Sequence, residues 1–142
     1  MADKHMLLDI VSAEEQVFSG QVSFIAVTGF QGELGIAPGH TALITPIKPG
    51  QLTATLVDGT ESVFYISGGV LEVQPSHVMI LSDTASRAED LDEVAVLAAK
   101  EAAEKMLSEQ KAELEYSQAL SELAEAAAQL RAIQKLRERK GR

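Results

Sequence analysis

The sequence has no cysteine, no tryptophan and no asparagine among its 142 residues. Without cysteine there are no disulfide frameworks, zinc–thiolate sites, iron–sulfur clusters or thiol nucleophiles. Without asparagine there is no acceptor for N-glycosylation. The longest apolar run, Val94 to Ala99, is six residues, against the roughly 20 that a membrane-spanning helix requires. The first residues carry neither the apolar core of a signal peptide nor an Arg-rich transit segment. Positive charge is scarce as well. Lys and Arg number 12 against 21 Asp and Glu, for a net charge of −9, which argues against nucleic-acid binding through overall charge. These absences leave a soluble protein of a reducing compartment, most simply the bacterial cytoplasm.

What is present is divided sharply near residue 86. Nine of the ten glycines and all four prolines lie before residue 76. Val, Ile and Thr total 23 in residues 1–85 and 3 in residues 86–142, whereas alanine runs 7 and then 13. Branched side chains suit a pleated, half-buried surface, and Ala, Leu, Glu, Gln, Lys and Arg suit helices. The chain therefore reads as α+β in two domains: a β-sandwich over 1–86 and an antiparallel two-helix hairpin over 87–142. Candidate strands are 7–11, 16–18, 22–27, 41–44, 51–57, 62–66, 70–74 and 78–81. Asp58-Gly59 and Gln74-Pro75-Ser76-His77 are the turn signals between alternating runs.

Residues 89–140 contain neither glycine nor proline. Asp90, with Glu93 three residues on, has the form of a capping box, and the first helix is expected over 91–107 with Leu91, Val94, Ala98 and Ala102 on its apolar face. A second helix is expected over 113–140, where Tyr116, Leu120, Leu123, Ala127 and Leu130 repeat at heptad spacing. Alanine-rich seams let helices approach closely but bury little apolar area per residue. The connecting residues 108–112 hold no helix breaker, so a closed hairpin and a single helix of about 50 residues, roughly 75 Å long, both remain open. The two forms are expected to differ by a few kcal/mol, which lets a partner select either.

Charge is uneven. Residues 129–142 carry six basic side chains and one acidic, while residues 1–85 have a net charge of −7. Two or three cations complement the dipole at a helix C-terminus, and six imply in addition an acidic docking surface. A protein surface is favoured over nucleic acid, because the acidic domain repels phosphate and no aromatic residue is interleaved for stacking. The three histidines share no metal-ligand spacing, Ser67 lies outside any nucleophile elbow, and Gly29, Gly32 and Gly35 mark a tight β-loop rather than a dinucleotide fingerprint. Neither a metal nor a cofactor is called for. A free-standing adaptor or inhibitor, with a β module for one partner and a helical tail for another, is the alternative to any role inside a complex.

The most distinctive segments are Gly32-Glu33-Leu34-Gly35-Ile36-Ala37-Pro38-Gly39-His40 with Ile47-Lys48-Pro49-Gly50 after it, and Tyr65-Ile66-Ser67-Gly68-Gly69-Val70-Leu71-Glu72-Val73. With the opening Leu8-Asp9-Ile10-Val11-Ser12-Ala13-Glu14 and the later Tyr116-Ser117-Gln118-Ala119, they make the chain closely similar to the epsilon subunit of the bacterial F-type rotary ATP synthase. That resemblance implies an antiparallel sandwich of about ten strands and a regulatory hairpin. It implies a non-catalytic subunit of the central stalk, without a cofactor, at the cytoplasmic face of the bacterial plasma membrane and in contact with the membrane only through the c-ring. The sandwich is expected to bind the gamma subunit and the polar loops of the c-ring, through Glu33, Leu34 and His40. The hairpin is expected to extend and block ATP hydrolysis, with Arg131, Lys135, Arg137 and Arg139 docking on the alpha and beta subunits. Gly68 and Gly69 are expected to serve backbone conformation. One departure stands out. Relatives that bind ATP do so through a motif of the form Ile/Leu-Asp-x-x-Arg-Ala, and here the run is Leu91-Asp92-Glu93-Val94-Ala95-Val96. Ala95 replaces the arginine that would meet phosphate, so Asp92 is expected to act at a helix N-terminus and not in a nucleotide site.

Overall fold

The computed structural model describes residues 4–109 and 113–140. Eight strands come first: β1 (Met6–Ser12), β2 (Gln16–Gly29), β3 (Gly32–Ile36), β4 (Leu43–Leu56), β5 (Glu61–Ile66), β6 (Gly69–Val73), β7 (His77–Ser82) and β8 (Ala85–Arg87). A short 3-10 turn, Ala88–Asp90, leads into α1 (Glu93–Ser108) and α2 (Glu113–Lys140).

The strands pair in the order β3-β2-β1-β7-β6-β4-β5-β8, and β2 pairs with β4 as well. That extra pairing closes the sheet into a flattened barrel. β2 and β4 are 14 residues each, long enough to serve both layers, and they shift register at Val22/Phe24 and Val27/Gly29 as they cross over. Such shifts bend a strand and raise its twist. The sequence reading split each long strand in two, β2 at Ser19-Gly20-Gln21 and β4 at the Pro- and Gly-bearing run Thr45 to Gly50, where the alternation breaks. It also took Gly32–Ile36 for a loop, because three glycines in seven residues hide a strand whose pairing comes from β2. The described residues form eight strands, against the about ten that the resemblance implies. All neighbours are antiparallel save β1 and β7, which run parallel.

Across the parallel seam His77 donates from Nε2 to Asp9 Oδ2 at 2.8 Å, and Gln16 donates to Asp9 Oδ1 at 3.2 Å. The Ser19 hydroxyl, ahead of the His77 contact, holds the Asp9 carboxyl below its ordinary range despite burial. Because the folded carboxyl is depressed, its stabilisation is present above the ordinary value of 3.8 and is lost as pH falls below it. Inside the barrel lie Leu8, Ile10, Ile25, Leu52, Phe64, Leu71 and Ile80, each fully buried. Phe18 meets Phe64 edge-on at 5.4 Å, and the Arg87 guanidinium sits 5.7 and 5.5 Å from the two rings. The strand that leaves for the helices is therefore fastened to the core by a cation–aromatic contact.

Both turn signals form turns. Asp58 accepts from the Thr60 N–H and hydroxyl at 2.9 and 2.6 Å, and Gln74 and His77 exchange backbone bonds at 2.8 and 3.3 Å.

The first helix starts later than its apparent cap. The 3-10 turn ends in extended backbone at Leu91 (φ −79, ψ 135), so Asp92 takes the N-cap position instead of Asp90, accepting from the N–H groups of Val94 and Ala95 at 3.1 and 3.4 Å. The apolar face of α1 also differs from the expected one. Val96 and Ala103 are buried, while Val94 is 77% exposed and Ala98 and Ala102 face water. Likewise Tyr116 and Leu120 are both 45% exposed, and Ala119, Ala126 and Ile133, spaced by seven, take the seam. Close approach of the two backbones decides the face, and alanine permits it where leucine does not.

Gly69 has φ +141, and a Cβ there would lie 2.0 Å from the Leu81 carbonyl oxygen. Gly59 has φ +90 but open space around it. Gly69→Ala is expected to cost about 3 kcal/mol in urea unfolding of the full chain, from backbone strain and overpacking together. Gly59→Ala is expected to cost about 1 kcal/mol, from its left-handed backbone alone.

Candidate functional site

Among the described residues no cluster of three or more His, Asp or Glu is placed to hold a metal ion. The Ser67 hydroxyl meets that of Ser82 at 3.0 Å and accepts from the Thr84 N–H at 3.0 Å, so it braces the β7–β8 turn. What the surface offers instead is a set of docking features, in three places.

The first is the end of the barrel that carries the β2–β3 turn. Thr28 pairs with Glu33 and Gly29 with Gly32, which leaves Phe30 and Gln31 at the tip. Phe30 is 55% exposed, and Lys48 holds its ammonium 5.5 Å from the ring. A shallow groove of about 560 Å³ runs from Phe30, Glu33 and Leu34 to Leu43, Thr45 and Pro46. Leu43 also borders a second groove, toward Ile44, Glu72 and Pro75. His40 does not line the groove that holds Glu33 and Leu34. It donates from Nδ1 to the Thr41 carbonyl at 2.7 Å, and its loop is tied down by the Gly39 N–H on the Pro75 carbonyl at 2.8 Å. Phe30 and Ile44 escaped the sequence reading. An aromatic residue between Gly29 and Gly32 was the available signal for Phe30. For Ile44, 72% exposed, there was none, because it looks like any strand residue.

The second is the outer face of the sheet over β1, β7, β6 and β4. Val11 pairs with Leu81, Leu81 with Val70, and Val70 with Pro46. These four residues form one apolar row across four strands, in which Leu81 is 47% and Val70 41% exposed. A continuous exposed row of this kind marks a contact surface.

The third is the hairpin. α2 rests on the barrel through Ala128 and Ala132, which meet Val63, Tyr65 and Ala88. Its adjoining face meets α1 through Ala126 and Ile133 against Val96, with Leu91 and Leu130 at the margins. α2 therefore lies between the sheet and α1. Tyr65 points into this junction, where burial and then the Glu125 carboxylate push its phenol above the ordinary value, and a hydrogen bond with the Gln129 side chain offsets part of the rise. At the far end Arg137 reaches from α2 to the first turn of α1 and grips Glu93 with both nitrogens, Nη1 to Oε1 at 3.1 Å and Nη2 to Oε2. Of the other expected docking cations, Arg131 is exposed and Lys135 half-buried, whereas the Arg139 side chain lies outside the described residues. No helix among the described residues is long and apolar enough to cross a membrane.

Residues 5–88 match the family model of the ATP synthase delta/epsilon chain, beta-sandwich domain, and residues 89–134 match that of its long alpha-helix domain. A protein of Legionella pneumophila (strain Corby) called ATP synthase epsilon chain is 52% identical over 132 residues, covering 93% of this chain and 94% of that one. The strain Paris relative of the same name has the same identity and coverage. Among solved structures, a chain of the Euglena gracilis mitochondrial ATP synthase (OSCP/F1/c-ring, rotational state 1) superposes with a TM-score of 0.84 at 23% identity, covering 94% of this chain and 84% of that one. One from the Tetrahymena thermophila mitochondrial enzyme (central stalk/c-ring) gives 0.60 at 16% identity, covering 93% and 98%. At these identities the two structures share the fold.

Tyr65 reports on the docked hairpin. Its folded phenol is raised, so docking is unaffected below the ordinary value of 10.0 and weakens as pH rises beyond it. In a Tyr116→Phe background, spectrophotometric titration is expected to find Tyr65 ionising above 10.0. Ala128→Asp, which places a carboxylate in the alanine seam, is expected to bring that ionisation back toward the ordinary value while the β-sheet circular dichroism is kept.

Proposed function

Since the chain belongs to the ATP synthase delta/epsilon chain family, we propose that it is a non-catalytic subunit of the central stalk, a rotor part that couples turning of the proton-driven c-ring to the catalytic head. In this reading residues 1–86 grip the gamma subunit and rest on the ring, and residues 87–142 form a regulatory arm that leaves the sandwich, extends, and inhibits ATP hydrolysis. The complex lies at the cytoplasmic face of the bacterial plasma membrane, and the chain meets that membrane only through the ring.

The observation that carries the reading is the contrast between the two packings. The barrel closes on its own large side chains, with β2 paired to β4. The hairpin touches it through Ala128, Ala132 and a few neighbours. Lifting the hairpin uncovers Val63, Tyr65 and Ala88 and frees Leu136, so its cost is confined to that small cluster and the barrel core stays intact. The barrel surface is suited to two partners. The apolar row Val11–Leu81–Val70–Pro46 is flat and continuous, as a packed helical shaft requires. The Phe30–Glu33 end, an aromatic tip beside a carboxylate and polar residues, suits a polar loop. His40 belongs to the neighbouring loop and supports that end through its bond to Thr41. The basic cluster Arg131, Lys135, Arg137 and Arg139 suits the acidic underside of the alpha and beta subunits, where each charge-assisted contact counts most once water is excluded.

Removal of residues 89–142 is expected to leave assembly with gamma and the ring unchanged and to raise ATP hydrolysis by the complex several-fold. Unchanged hydrolysis would sink the inhibitory role. Leu81→Asp, on the apolar row, is expected to weaken capture of gamma by tenfold or more while circular dichroism stays that of the parent.

A further inference from the structure

Glu93 and Arg137 are 44 residues apart, and their pair bridges the two helices at the end of the hairpin opposite its connection. That end is where a two-helix hairpin first comes apart. Near it lie Val96, Ala126 and Ile133 with Leu91 and Leu130 beside them, and Leu91 and Leu136 also pack on the alanine contact with the sheet. Each partner also suits its own helix terminus, the acid in the first turn of α1 and the cation in the last turns of α2. We propose that this pair is the latch of the hairpin, and that the same guanidinium, once released, is the one that docks on acidic groups of the catalytic head. The second half of the proposal rests on the inhibitory reading above. Arg137 thus serves two states that exclude one another. Glu93 is an internal rival of the acidic surface: the arm extends to the extent that the partner's carboxylates outcompete Glu93 for one cation.

The side chains are 64% and 34% exposed, so the latch is modest and sensitive to salt. A bidentate surface pair shifts such an equilibrium about two- to fivefold. Chemically, this makes the arm responsive to ionic strength and to acidic surfaces, in a chain whose α1 start carries Ala95 where an ATP-binding relative has arginine. The consequence is a pair of substitutions with opposite signs. Glu93→Gln weakens only the closed form and leaves Arg137 free to dock, so it deepens inhibition. Arg137→Gln weakens both forms, and because the docked contact is shielded from water whereas the latch is exposed, inhibition falls.

The test has two arms, both on the full chain. Amide hydrogen exchange of the isolated protein follows the hairpin directly. Glu93→Gln is expected to speed exchange over 93–108 and 113–140 about two- to fivefold at low salt, with β1–β7 unchanged and the difference shrinking at high salt. The swapped double variant, Glu93→Arg with Arg137→Glu, is expected to recover much of the protection. ATP hydrolysis by the reassembled complex is expected to fall with Glu93→Gln and to rise with Arg137→Gln and with the swapped variant. Unaltered exchange in Glu93→Gln would overturn the latch. Faster exchange with hydrolysis unmoved in every variant would uphold the latch and overturn the inhibitory reading on which the second half rests. Hydrolysis moving in the same direction in both single variants would overturn the sharing of Arg137.

Discussion

Ala128 and Ala132, with Leu136 beside them, carry the hairpin on the barrel, in a small cluster set apart from the barrel core. They sit against Val63, Tyr65 and Ala88, and Leu136 of α2 packs at the edge of the same small cluster. Larger residues would have filled more volume and welded the two parts into one core. Alanine gives contact and helix propensity together, so α2 stays helical whether or not it is docked. The arm can then move as a rod, and ordering a new structure is not part of the cost.

The barrel is built on the opposite principle. Two long strands serve both layers, bulges turn them over, and Gly69 lets its strand pass within reach of the Leu81 carbonyl. Asp9 and His77 tie the parallel seam, and Arg87 lies against Phe18 and Phe64 where the chain departs for the helices. A rigid barrel can present Phe30, Ile44 and the Leu81–Val70 row at fixed positions. A subunit that is to grip a turning shaft needs that constancy, and one that is to regulate needs the loose arm. In the proposed role, the chain keeps the two demands on separate segments.

The change from strands to helices was plain from composition, because Val, Ile and Thr are concentrated before residue 86 and alanine after it. The two hairpin turns were plain because Asp58-Gly59 and Gln74-Pro75 carry their own geometry. Strand ends were less so: Ser19-Gly20-Gln21 in β2 and Pro46, Pro49 and Gly50 in β4 interrupt alternation without ending the strand. The helical faces were misread for a different reason. Leu91 and Leu130 of the expected faces do pack at the seam, but Val96 and Ala103 replace Val94, Ala98 and Ala102, and Ala119 and Ala126 replace Tyr116 and Leu120. Several rows at three- and four-residue spacing run along each alanine-rich helix, and spacing alone does not choose among them. The Glu93–Arg137 pair could not be found along the chain at all, since only the antiparallel return of α2 brings the two together.

If the arm inhibits as proposed, the hairpin must first leave the sheet. Because the chain lacks cysteine, it can be probed by placing one cysteine at Val63 and one at Ala132, which share the docked cluster, and joining them with a short thiol cross-linker in the assembled complex. Tethering is predicted to raise ATP hydrolysis to the level of the complex whose subunit lacks residues 89–142, with reversal on cleaving the linker. Complete tethering that leaves hydrolysis at its starting level would contradict it.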